Sequence, residues 1–135
     1  MRHVPAKLLV LDQDDSVLRQ VGRVFGGYFV VVPVHTPHRA LGLLEGDPHI
    51  RVMITEQVMR AAQGVDVLEA VRSRWPDIRR VMLTTYTDLA SIVTGLHSGA
   101  VQVLKPATDE ELLKAVCPEI IHQVSTANVS RRASA

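Results

Sequence analysis

The chain has 135 residues, 47% of them apolar, enough for one domain and too few for two. A domain of this size buries about 68% of its unfolded surface without staples, and the single cysteine, Cys117, excludes an internal disulfide or a multi-cysteine zinc site. Fifteen Lys and Arg against fourteen Asp and Glu give +1, with Arg131 and Arg132 in the tail and only 4% aromatic residues, which leaves no basic or stacking surface for nucleic acid. The apolar run before Asp12 is too short for a signal core or a membrane span, so a cytoplasmic chain is expected.

Lys7 to Leu11 is a short apolar run ending in acids, the pattern of a strand buried on both faces. Val17, Leu18, Val21, Val24 and Phe25 then recur at helical spacing, with Asp14 or Asp15 available as N-cap and Gly26-Gly27 as the stop. A second strand runs from Tyr28 to Val34, and its Pro33 suits a sheet edge. Thr36-Pro37 opens the second helix, whose apolar stripe is Ala40, Leu41, Leu43 and Leu44 before Gly46. Ile50 to Ile54 is the third strand, about Gly64 to Trp75 the third helix, and Arg80 to Leu83 the fourth strand.

Asp88 can cap a fourth helix carrying Leu89, Ile92, Val93 and Leu96 and ended by Gly99; Ala100 to Leu104 then reads as the fifth strand. Thr108-Asp109-Glu110-Glu111 is a capping box for the last helix, with Leu112, Leu113 and Val116 inward and Pro118 at its end or kink. Strands alternating with helices through short links predict an α/β fold, a five-stranded parallel sheet covered on both faces by right-handed crossovers. The domain is expected over residues 1–124, and 125–135, small and polar, as a disordered tail or linker remnant.

Ligands of such sheets collect beyond the carboxyl ends of the strands. Here those places hold Asp12-Gln13-Asp14-Asp15, Thr55-Glu56, Thr84-Thr85 and Lys105-Pro106. In order and spacing these residues resemble the receiver domain of two-component response regulators, CheY-like in fold, from about Lys7 to Val116. The resemblance implies the flavodoxin-like strand order 2-1-3-4-5. It also implies an acidic pair at Asp12 and Gln13, a phospho-acceptor position at Glu56 eight residues before Gly64, a switch hydroxyl at Thr84 and a phosphate-binding lysine at Lys105. At Lys105-Pro106 such domains commonly carry a cis peptide.

Five positions depart from the pattern. Glu56 stands where the family has Asp, Gln13 where it has an acid, Gln102 where an aromatic switches rotamer, Arg60 where a proline follows the acceptor, and Gln63 where an Asp usually precedes the Gly. Mg²⁺ takes oxygen ligands in near-octahedral geometry, usually with one or two carboxylates. With Gln13 neutral, Asp12 remains as the metal-binding acid, and Mg²⁺ affinity is expected to be weak or absent. Glu56 carries its carboxylate one methylene further out, and a misplacement of about 1 Å can cost about 100-fold in rate. The expectation is a pseudo-receiver without catalysis, with Glu56 within reach of Lys105 and Thr84 either as a partial mimic of the phosphorylated state or as part of a switch that no longer switches.

The resemblance further implies a protein partner on the surface of the fourth helix, fifth strand and fifth helix, roughly Asp88 to Val116 with Gln102. It admits a histidine kinase or a second copy of the chain there. One alternative keeps slow Mg²⁺-dependent phosphate acceptance. Another reads Asp12-Gln13-Asp14-Asp15-Ser16 as the D-x-D-x-S opening of a haloacid-dehalogenase-like phosphatase, with Asp12 as nucleophile and Asp14 as general acid. The six histidines are scattered, and His35 with His38 straddles a helix start, so surface imidazoles are expected in place of metal ligands. Met53, Met59, Met82 and Cys117 are expected as packing residues.

Overall fold

In a computed structural model, which describes residues 4–60, 62–85 and 99–117, strand β1 (Lys7–Leu11) is followed by helix α1 (Asp15–Phe25), β2 (Val30–Val34) and α2 (Pro37–Gly46). The chain continues through β3 (Ile50–Thr55), α3 (Gly64–Arg74), β4 (Arg79–Thr84), β5 (Val101–Leu104) and the C-terminal helix, here α4 (Asp109–Val116). All strand pairs are parallel, in the order β2-β1-β3-β4-β5. The expected Asp88 helix, His3, His97, His122 and the 125–135 tail lie outside the described residues.

Period-two alternation sorts each buried strand between two cores. Leu8, Val10, Val52, Ile54, Val81, Leu83 and Val103 pack with α1 and α4, while Leu9, Leu11, Met53 and Met82 pack with α2 and α3. Met53 and Met82 are fully buried, Met59 is partly buried, and Cys117 is buried. Asp14 is the N-cap of α1, and Thr36 and Thr108 cap α2 and α4 through their hydroxyls. Tyr28 and Phe29 fall in the turn closing α1, where both amides bond to the Phe25 carbonyl, so β2 starts two residues later than the expected Tyr28.

β2 is an edge strand, as Pro33 requires. Val30 N donates to Ala6 O, and Val34 O accepts from Asp12 N, so the even-numbered residues of β2 face β1. The odd-numbered donors point away from the sheet, and Pro33 removes one of them, which blunts the edge against further strand pairing. Gly99 enters β5 with φ +73°, a left-handed conformation that suits glycine.

Candidate functional site

The strand ladder brings the site together by register. Leu11 pairs with Thr55 and Thr84 with Leu104. One residue further on, Glu56 N donates to Leu11 O at 3.1 Å and Lys105 N to Thr84 O at 2.9 Å. Asp12, Glu56 and Lys105 continue the alternation phase of Val10, Ile54 and Val103, so the three side chains leave the sheet toward the α1 and α4 side.

There they meet. Asp12 is 3% exposed, its Oδ2 accepts from Lys105 Nζ at 2.8 Å and its Oδ1 from Asp14 N at 2.9 Å. Glu56 Oε2 lies 3.7 Å from Lys105 Nζ, with the Glu56 side chain 12% exposed, and this oxygen accepts no hydrogen bond among the described residues. The cluster therefore holds two carboxylates against one ammonium, with little water to screen them. Thr84 is fully buried beside this end of the sheet, and the Lys105–Pro106 peptide is cis. Gln13 is exposed and turns away to a different cavity with His35, Thr36 and Arg60.

Asp14 works as a cap. Its Oδ1 accepts from Ser16 N at 2.9 Å and from the Ser16 hydroxyl at 2.8 Å. The Ser16 hydroxyl first, and its amide second, hold this carboxyl below its ordinary value. A depressed folded value stabilises above the unfolded value and is lost as pH falls through the folded one. An acid titration followed by ¹³C shifts is expected to place Asp14 below an unstructured aspartate, with the Ser16 amide shift moving in step.

The loop after β3 explains the eight-residue interval to Gly64. Gly64 N donates to Gln57 O at 2.8 Å, folding the chain back so that a Cβ on Gly64 would sit 2.2 Å from Glu56 O. Gln57, 2% exposed, sends its Oε1 to Val65 N at 2.9 Å and caps α3 from a distance, because Gln63 at the N-cap makes no side-chain cap bond. Sequence reasoning missed Gln57. The signal available was a helix start without Ser, Thr, Asp or Asn at its N-cap.

A doubly wound sheet with carboxylates, a hydroxyl and a lysine at the carboxyl ends of its strands is a flavodoxin-like fold of the CheY type. The response regulator receiver domain model matches residues 8–117, and the chain belongs to that family. It is 31% identical over 113 residues to the hydrogenase transcriptional regulatory protein HoxA of Cupriavidus necator, covering 82% of this chain and only 23% of that protein. Identity to the chemotaxis protein CheY1 of Helicobacter pylori is 30% over 111 residues, covering 78% of this chain and 90% of that one. The structure of chemotaxis protein CheY4 of Vibrio cholerae matches with a TM-score of 0.73 at 27% identity, covering 82% of this chain and 95% of that one.

Receiver domains are in general signalling modules that meet histidine kinases and downstream effectors, some of them as dimers, and typically bind Mg²⁺ at the acceptor site. The phosphatase alternative is not supported: the family is the receiver family, and Asp14, the acid it requires, is spent capping α1. Among the described residues no group of three or more His, Cys, Asp or Glu is arranged to hold a metal ion, and no helix is long and apolar enough to cross a membrane.

Proposed function

We propose that this chain is an atypical receiver that signals through protein contacts, with Glu56 occupying the phospho-acceptor position and replacing the covalent mark. The observation that carries the reading is the buried Glu56 Oε2 at 3.7 Å from Lys105 Nζ, beside the Asp12–Lys105 bond. A receiver's lysine balances charge on a transferring phosphoryl group. Here a resident carboxylate already faces that lysine.

Mg²⁺ fits the residues present poorly. It would take oxygens from Asp12 and Glu56, but both Asp12 oxygens are already bonded and Gln13 is neutral and exposed. In this reading metal affinity is weak, and neither slow acceptance on Asp12, Asp14 or Asp15 nor turnover contributes to function. The output surface includes β5 and α4, where Gln102 lines a groove with Leu104, Glu111 and Lys114. The Gln102 Nε2 is buried there without a hydrogen-bond partner among the described residues. A kinase, a downstream protein or a second copy would dock on this side.

Beryllofluoride or acetyl phosphate with Mg²⁺ is the test. The expected result is no mass adduct and no amide shift at Thr84, Lys105 or Gln102. A stoichiometric adduct, or saturable shifts at those three residues, would restore the phosphorylatable reading. Glu56→Gln is expected to change partner affinity or stability, since it removes the charge facing Lys105.

A further inference from the structure

Beyond the ends of β1, β2 and β3 lies a cavity of about 310 Å³ lined by Gln13, His35, Thr36 and Arg60. Its walls come from three separate turns: Gln13 follows β1, His35 and Thr36 join β2 to α2, and Arg60 lies between β3 and α3. It shares no lining residue with the groove that contains Lys105 and Asp14. Two of its four residues are departures from the receiver pattern. Gln13 removes a negative charge from this rim and Arg60 adds a positive one.

The local chemistry is that of an anion receptor. Arg60 is exposed, and no carboxylate pairs with it among the described residues. Its guanidinium offers a planar fork suited to two oxygens of one oxyanion. Gln13 contributes an amide donor, and the Thr36 hydroxyl, which accepts from Arg39 N at the start of α2, keeps its own hydrogen to donate. His35 Nε2 lies 2.8 Å from Asp15 Oδ1, which places one carboxylate behind this wall, at the start of α1. The volume lies at the lower end of the roughly 300–1,000 Å³ of small-molecule sites, at the switch point between β1 and β3 where doubly wound sheets take ligands.

We propose that this cavity binds a small multivalent oxyanion, a phosphate ester or polycarboxylate metabolite, with Arg60 as the principal contact. The site needs neither Glu56 nor Lys105 and stands independently of how the acceptor position behaves.

The test is an amide-shift titration of the full chain with inorganic phosphate in one arm and citrate in the other, at constant ionic strength against a chloride control. The expected result is saturable shifts at Gln13, His35, Thr36 and Arg60 in at least one arm; which arm saturates distinguishes the two ligand sources. Arg60→Gln is expected to weaken that binding by at least about tenfold, with an unchanged circular dichroism spectrum, while Glu56→Gln leaves it unchanged. Shifts that fail to saturate or appear equally with chloride would overturn the site. So would an unchanged Kd in Arg60→Gln, or shifts centred on Thr84 and Lys105 and lost in Glu56→Gln. None of these outcomes alters the phosphodonor result, so the two proposals fail separately.

Discussion

Lys105→Met is expected to cost about 3 to 5 kcal/mol of folding stability, the usual penalty for removing one partner of a buried ion pair. Lys105 Nζ donates to Asp12 Oδ2 at 2.8 Å and lies 3.7 Å from Glu56 Oε2, with side-chain exposures of 16%, 5% and 12% for the three residues. Methionine preserves most of the apolar stem and removes the ammonium, so two carboxylates are left facing each other out of water. Most of the loss is the stranded charge, and the intact pair is worth less than that figure. Adding Asp12→Asn to Lys105→Met should therefore recover part of it, an interaction read directly by a double-mutant cycle in urea. A single-mutant loss under about 1 kcal/mol, the level of an exposed ion pair, would mean that solvent reaches this cluster freely.

Gly64→Ala is the second large effect, expected to cost about 2 to 3 kcal/mol as overpacking against atoms that cannot rotate aside. The added Cβ would sit 2.2 Å from Glu56 O and 3.0 Å from the Gln57 Cα, all backbone. Relief requires the loop after β3 to open, which strains the Gly64 N to Gln57 O bond and the Gln57 cap on Val65 N. Equilibrium urea unfolding measures the loss, and faster exchange of the Val65 amide localises it. Equal Val65 protection in the two proteins would show that the loop adjusts elsewhere. Because the same movement displaces Glu56, the variant should also perturb the Lys105 side-chain resonances.

Much of the fold is legible in the sequence because parallel strands buried on both faces read as apolar runs and their covering helices as 3.6-residue stripes. Lys7–Leu11 and the Val17-Leu18-Val21-Phe25 stripe are clear examples. Pro33 marks the edge strand because only an edge tolerates a missing donor. Boundaries are less legible: Tyr28 and Phe29 are aromatic and favour strands, yet their amides go to the Phe25 carbonyl at the exit of α1. Strand-end placement locates Asp12, Glu56, Thr84 and Lys105 at one end of the sheet, since a parallel sheet aligns its carboxyl ends. Side-chain direction within a turn is not encoded by period, so the outward Gln13 is not legible, and the inward Gln57 is hinted at only by the missing cap residue at the start of α3.

The Asp12–Lys105 bond joins residues 93 apart in sequence, across β1, β3, β4 and β5. Contacts of such span form only after the intervening chain has closed its loops, which makes them late events in folding. During synthesis the aspartate emerges long before its lysine, and a nascent sheet lacking β5 holds that acid without its counter-ion. Completion of this cluster therefore reports that the last strand has docked.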